Sequence, residues 1–266
     1  MNNTSNRFYD GIDNLDIMEK AERYNRFLSK LVVSNARGLV PVLDFGAGTG
    51  LLARMITDAG IEIVCVEPDP ELRKRLIARS LKTHSRIEDL APESASGAYS
   101  FNVLEHIEDD LAAVRAIYSR LTPGGLFIVY VPAFPMLYGP MDRKVGHLRR
   151  YTRVSLLAVL RAAGFVVKRT EYVDSLGFLA SLALKWLGDD SGNLNLSMVR
   201  LYDRFVFPIS RFCDQLWHPF FGKNVVAFAQ KPSGSCIARD KVRRKMQAPG
   251  QFDAQGARAK SSLGNR

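Results

Sequence analysis

Cysteine is scarce in this chain: Cys65, Cys213 and Cys236 are the only three among 266 residues, odd in number and widely separated. Such a set suggests neither a disulfide framework nor a metal site, and no metal is expected. Apolar runs long enough to cross a bilayer are missing as well. The strongest of them, Ser175–Leu187, falls short of the ~20 residues that a spanning helix needs. The opening Met1-Asn2-Asn3-Thr4-Ser5 lacks a basic segment followed by an apolar one, so no secretory signal is expected and a reducing cytoplasm is the default. Acidic charge is short mainly in one stretch. From Lys231 to Arg266, nine basic residues against two acids supply seven of the ten net positive charges. Residues 232–266 are rich in Ser, Gly, Ala and Gln and poor in large apolar residues, the composition of a solvated, disordered tail. Attraction to anionic lipid headgroups or nucleic acid is the sharper reading of that tail; no specific nucleic-acid partner is expected.

What is present suffices for one α/β domain. With 47% apolar residues, the chain can bury a core of roughly 200 residues. Ile17, Ala21, Tyr24, Leu28 and Leu31 recur at three- and four-residue steps, predicting one amphipathic helix over 12–37 within a helical cap, 1–39. Strands and helices then alternate: a strand at 42–45, another near 61–67, a helix near 69–80, strands near 82–87 and 98–103, a helix near 109–121 and a strand at 125–131. A helix over Thr152–Ala163 and strands over Phe165–Val173 and Asn224–Gln230 complete the series. This order implies a mostly parallel, seven-stranded sheet covered on both faces, spanning 40–231. Residues 176–222 form a helical insertion before the last strand, read as two amphipathic helices kinked at Pro208. Two readings of the insertion stand: helices that complete the core, or an interfacial patch or apolar wall for a greasy substrate. Trp186, Trp217 and the basic residues on the polar face tilt the balance toward membrane contact.

Val42-Leu43-Asp44-Phe45-Gly46-Ala47-Gly48-Thr49-Gly50 runs from an apolar strand into a glycine turn before a helix. Such a turn lets a ligand lie against bare backbone at the positive end of the helix. A fixed negative charge at Asp44 opposes a pyrophosphate there, and Leu51 stands where the dinucleotide fingerprint places its third glycine. Glu67, closing the run Ile61–Val66, is placed to accept hydrogen bonds from ribose hydroxyls. The ligand therefore carries a ribose and a cation but no pyrophosphate. On these residues the chain resembles the class I S-adenosylmethionine-dependent methyltransferases, in their type 11/12/23-like subgroup. The resemblance implies a Rossmann-like sheet, S-adenosylmethionine as cofactor, and Asp44, Gly46, Ala47, Gly48, Gly50, Glu67 and Pro68 lining its site.

Asn102-Val103-Leu104-Glu105-His106 resembles that family's fourth-strand motif, which implies that the backbone at Asn102 faces the methionine part of the cofactor with Leu104 nearby. Glu105-His106 is expected to fix the loop. Where the family places an acid beside adenine this chain has Arg86, so Glu88 or Asp89 takes that role, with Ile87 against the ring. The stretch Pro132–Tyr151 follows the fifth strand at the sheet edge where ligands collect. Its pattern, Tyr138-Gly139-Pro140-Met141-Asp142 and Gly146-His147-Leu148-Arg149-Arg150-Tyr151, resembles a methyltransferase subgroup often encoded beside envelope and polysaccharide functions. For a hydroxyl acceptor, His147 is the candidate base with Asp142 to orient it. Tyr138, Arg149, Arg150 and Tyr151 are the candidate acceptor contacts, the arginines clamping a phosphate or carboxylate. A second reading has His147 and the arginines tie the loop to the next helix. The expected activity is methyl transfer, O-methylation favoured, to an amphipathic or lipid-linked small molecule at the cytoplasmic membrane face. Its rivals are transfer to a soluble metabolite and a non-catalytic cofactor-binding scaffold; Asp44 and Leu51 oppose a nicotinamide enzyme.

Overall fold

The computed structural model describes residues 12–187 and 195–233. Two helices, α1 (Ile12–Met18) and α2 (Glu22–Asn35), precede β1 (Val42–Phe45), α3 (Leu51–Asp58), β2 (Ile63–Val66), α4 (Pro70–Ala78) and β3 (Lys82–His84). Then come β4 (Ala95–Phe101), α5 (Asp110–Arg120), β5 (Leu121–Pro132), α6 (Pro140–Lys144), α7 (Arg153–Ala162) and β6 (Val166–Val173). The chain continues through α8 (Ser175–Leu187), α9 (Leu196–Leu201), α10 (Phe207–Trp217) and β7 (Asn224–Gln230). All seven strands join one sheet in the order β3-β2-β1-β4-β5-β7-β6. Strands β1 to β5 pair in parallel, and β7 runs antiparallel to both β5 and β6. The order reverses between β1 and β4, the position at which open α/β sheets leave a crevice beyond their strand ends.

Strands buried on both faces send alternate residues into two cores. Leu43, Val64, Val66, Phe127 and Val129 meet Val114, Ile117, Leu156 and Leu160 of α5 and α7. On the opposite face, Val42, Ile63, Cys65, Ile128 and Tyr130 meet Leu28, Val32, Ala53, Ile56 and Leu76 of α2, α3 and α4. Tyr24 belongs to the second core, edge-on to Tyr130 and Phe207 at centroid distances of 6.3 and 5.5 Å.

The single N-terminal helix expected over 12–37 is two. Asn25 Nδ2 donates to the carbonyls of Met18 and Glu19 where α1 ends. Ala21, at the N-cap of α2, has no side-chain acceptor, and Asp203 supplies one from 180 residues away, taking the Arg23 and Tyr24 N–H groups at 2.9 and 2.8 Å. Strand β3 keeps only three of its six expected residues, and β4 has a register irregularity between Ala95 and Gly97.

Among the described residues the insertion holds three helices. A π-helical stretch, Tyr202–Val206, runs α9 into α10. Pro208 has no N–H for the carbonyl four residues earlier, and the wider π turn absorbs the mismatch. Polar side chains fasten the insertion to the sheet. Asp214 accepts the Asp174 and Ser175 N–H groups, both at 2.8 Å, and Asp174 receives the hydroxyls of Tyr202 and Ser210. The expected basic tail lies outside the described residues apart from 232 and 233.

Candidate functional site

Strand β1 delivers Asp44 to the crevice, and the chain then turns through Gly46, Gly48 and Gly50, whose φ angles are +81°, +56° and +80°. Gly46 admits no side chain for a second reason: a Cβ there meets the methyls of Val103. Gly50 caps α3 in the left-handed conformation. Glu67, one residue past β2, accepts the Gly48 N–H at 2.8 Å and the Asp69 N–H at 3.0 Å, one on each carboxylate oxygen. Each oxygen keeps a further lone pair for a ligand hydroxyl. Pro68 is exposed, and its carbonyl accepts from Arg73.

Asp44 is 3% exposed and receives the Tyr99 hydroxyl at 2.7 Å. Burial pushes its pKa up to about 7, with the Tyr99 hydrogen bond working against the rise and the charge of Glu67 adding to it. Burial raises Glu67 as well, against the pull of its two backbone N–H donors. No cationic side chain pairs with Asp44 among the described residues. Two buried carboxylates beside bare glycine backbone fit a ligand that brings its own positive charge.

The other predicted cofactor residues frame the same crevice. Asn102, just past β4, holds φ at +55°, a conformation rare outside glycine and concentrated at ligand sites. Leu104 is fully buried in a 3₁₀ turn, Leu104–His106, and its carbonyl accepts from Tyr151. Ile87 is 5% exposed and packs in the first core. Glu88 is exposed and paired with Arg86 at 3.3 Å. Asp89 accepts the Arg86 N–H and the Ser85 hydroxyl, so its carboxylate is committed to its own turn.

The segment after β5 folds back through a bridge between Ala133 and Tyr151 and carries the candidate base. His147 Nδ1 lies 2.6 Å from Asp142 Oδ1, and Arg150 Nε donates to the same oxygen at 2.9 Å. Burial alone raises the Asp142 pKa, but His147 and Arg150 together hold it below the ordinary carboxylate range. His147 Nε2 faces Glu105 Oε1 at 3.7 Å. Sequence reasoning assigned Glu105 to loop fixation, and its carbonyl does accept the Leu148 N–H at 2.8 Å. Its carboxylate, however, is completely buried, takes no hydrogen bond from any other described residue, and is pushed up to about 8 by that burial. His106 lies edge-on to His147 at 4.7 Å, and burial with the neighbouring His147 lowers its pKa to about 4. One ligating atom from each of Glu105, His106 and His147 lies within 4.8 Å of the others, a spacing open to a divalent ion that the cysteine count gave no hint of.

The predicted acceptor contacts divide differently. Tyr138 donates to the His147 carbonyl at 2.7 Å and so holds the backbone of the candidate base. Tyr151 is 2% exposed with its hydroxyl on Asp110 at 2.7 Å, a packing role in place of acceptor contact. Arg149 bonds Asp110 and the Glu108 carbonyl; Arg150 bonds Asp142 and the Ala133 carbonyl. Both arginines therefore tie the loop, and neither is a free anion clamp. An aromatic run that sequence reasoning missed joins this loop to the insertion. Phe134 stacks on Tyr172 at 4.7 Å and meets Phe178 at 5.1 Å; Phe221 lies 5.2 Å from Phe178 and 5.4 Å from Trp217.

A family model described as a methyltransferase domain matches residues 17–170. Among curated proteins, a ubiquinone biosynthesis O-methyltransferase of Xanthomonas campestris is 36% identical over 94 residues, 32% of this chain and 39% of the relative. The chain thus spans about two fifths of that relative's length. An uncharacterized methyltransferase of Mycolicibacterium gilvum is 29% identical over 188 residues, 64% of this chain and 69% of the relative. Among solved structures, the 1,6-didemethyltoxoflavin-N1-methyltransferase of Burkholderia thailandensis, which holds S-adenosylhomocysteine, superposes with a TM-score of 0.55 at 18% identity, covering 83% of each chain.

Proposed function

The chain belongs to the methyltransferase-domain family and uses S-adenosylmethionine, and from that premise we propose that it methylates a hydroxyl of an amphipathic acceptor reached from a membrane face. The bound cofactor supplies an electrophilic methyl group. Asp44 and Glu67 bind its cationic and ribose parts, and the glycine turn admits it to the backbone.

The observation that carries the acceptor chemistry is the Asp142–His147 pair. A carboxylate held anionic by Arg150 and bonded to Nδ1 fixes the imidazole with Nε2 as proton acceptor. Glu105 lies 3.7 Å from Nε2, and burial pushes its pKa up to about 8, which favours the neutral acid at physiological pH and limits its competition as an anion. Support for oxygen as the acceptor atom comes from the ubiquinone O-methyltransferase relatives. The aromatic run from Phe134 to Trp217 supports an acceptor with an apolar portion.

Methyl-labelled cofactor incubated with the protein and a fractionated cell extract tests this reading. Label is expected in the organic phase, and His147→Ala is expected to lower its appearance by about 10²–10⁴-fold. Label confined to the aqueous phase points to a soluble metabolite. Unchanged turnover in His147→Ala removes the base assignment.

A further inference from the structure

The helical run that follows Leu196 in the insertion leaves a row of large apolar side chains on its outer face. Met198, Leu201, Phe205, Ile209, Phe212, Leu216 and Phe220 repeat at three- and four-residue steps, and each is more than half exposed, from 54% to 73%. Those from Met198 to Leu216 form one stripe along Leu196–Trp217, a helical run of 22 residues, about 33 Å long at ~1.5 Å per residue, and Phe220 continues it in the turn that follows. The face turned to the protein buries Phe207 against Tyr24 together with Asp203, Ser210 and Asp214, which serve as caps and hydrogen-bond partners. An exposed apolar stripe of this length marks a docking surface.

Charge identifies the occupant. Asp203 and Asp214 are the only acids between Leu196 and Lys223, and both are buried. What borders the stripe at the surface is cationic: Arg200 and Arg204 are exposed, while the half-buried Arg211 turns inward to pair with Asp214 at 2.6 Å. A second copy of this chain laid against the stripe would set these arginines against one another with no surface acid between them. The basic, Ser- and Gly-rich stretch 232–266 offers no matching apolar stripe. Anionic lipid satisfies both features, acyl chains for the apolar face and headgroups for the arginines.

We infer that this face lies flat on an anionic membrane surface, with Met198, Leu201, Phe205, Ile209, Phe212, Leu216 and Phe220 in the headgroup–acyl boundary. No helix among the described residues is long and apolar enough to cross a membrane, so the contact is interfacial. Trp217, at the end of the stripe, opens the aromatic run toward the loop that carries His147. The inference rests on the amphipathic-acceptor reading for its purpose, but its test does not pass through methyl transfer.

The full chain is sedimented with vesicles of phosphatidylcholine alone or with phosphatidylglycerol. Phe212→Asp/Leu216→Asp is compared, because both side chains are more than 70% exposed and their replacement spares the fold. The wild type is expected to bind the anionic vesicles at least ~10-fold more tightly than the neutral ones, and the double variant to lose at least ~10-fold on the anionic vesicles. Its melting temperature and its affinity for S-adenosylhomocysteine are expected to match the wild type, which separates loss of docking from loss of the cofactor site. Absence of wild-type binding overturns the inference. So does equal binding by the double variant, which would assign the contact to another part of the chain, and so does a wild-type dimer that the double variant converts to a monomer.

Discussion

Replacing Asp44 by Asn isolates the electrostatic cost that the cofactor pocket carries before any ligand arrives. The Asp44 pKa is raised from 3.8 to about 7, first by burial. A carboxyl raised on folding binds its proton more tightly in the native chain, so its stabilising contribution is complete below about pH 4 and disappears as pH climbs through about 7. At roughly 1.4 kcal/mol per tenfold, the full swing is about 4 kcal/mol. Asn keeps an oxygen to accept the Tyr99 hydroxyl but cannot ionise. The ligand-free variant is therefore expected to melt with the wild type near pH 4 and above it at pH 8. With about 2–4 °C per kcal/mol for a domain of this size, the upper bound is roughly 8–16 °C, reduced as water and Tyr99 relax around the charge. The same variant is expected to gain much less stability than the wild type from added S-adenosylmethionine, since binding to the native state alone is what raises the melting point. Scanning calorimetry or dye-based melting from pH 4 to 8 measures both effects. Equal melting of variant and wild type at pH 8, or a less stable variant there, would refute a buried, uncompensated charge at Asp44.

Other substitutions probe the surroundings. Gly46→Ala places a methyl against Val103 at a φ of +81° and is expected to weaken cofactor binding at least ~10-fold in a fluorescence titration. Asp203→Ala removes the acceptor for two N–H groups of α2 and is expected to cost about 1–2 kcal/mol in urea unfolding. Glu105→Gln is expected to leave the melting temperature unchanged near pH 4, where the carboxyl is protonated in folded and unfolded chain alike, and to raise it progressively from there to pH 9, as the unfolded acid ionises while burial resists ionisation in the fold.

The sheet was legible because its signals are local. Asn224–Gln230 is the last strand residue for residue, and Thr152 caps α7 with its own hydroxyl at the N–H of Ser155, as a Thr before an apolar helix suggests. The glycine turn with Asp44 and Glu67 belongs to the same class, since strand ends and turn residues fix it. What failed to show in the sequence depends on partners far along the chain. The break between α1 and α2 is settled by Asp203, and nothing near Ala21 announces it. Arg149 and Arg150 are the residue types that both an anion clamp and a loop tie require, and only the placement of Asp110 and Asp142 decides between them. Glu105 reads as a loop acid because sequence does not report that its carboxylate is sealed beside His147.

In the proposed cofactor site the buried acid Asp44, raised to about 7, would give up its proton to receive a cationic ligand. Calorimetric titration of S-adenosylmethionine at pH 6.5, in two buffers of different ionisation enthalpy, tests this directly. With a pKa near 7, Asp44 holds about three-quarters of a proton at that pH. Release of roughly that fraction is expected on binding by the wild type, and almost none by Asp44→Asn. Absence of binding, or the same heat in both buffers for the wild type, would contradict it.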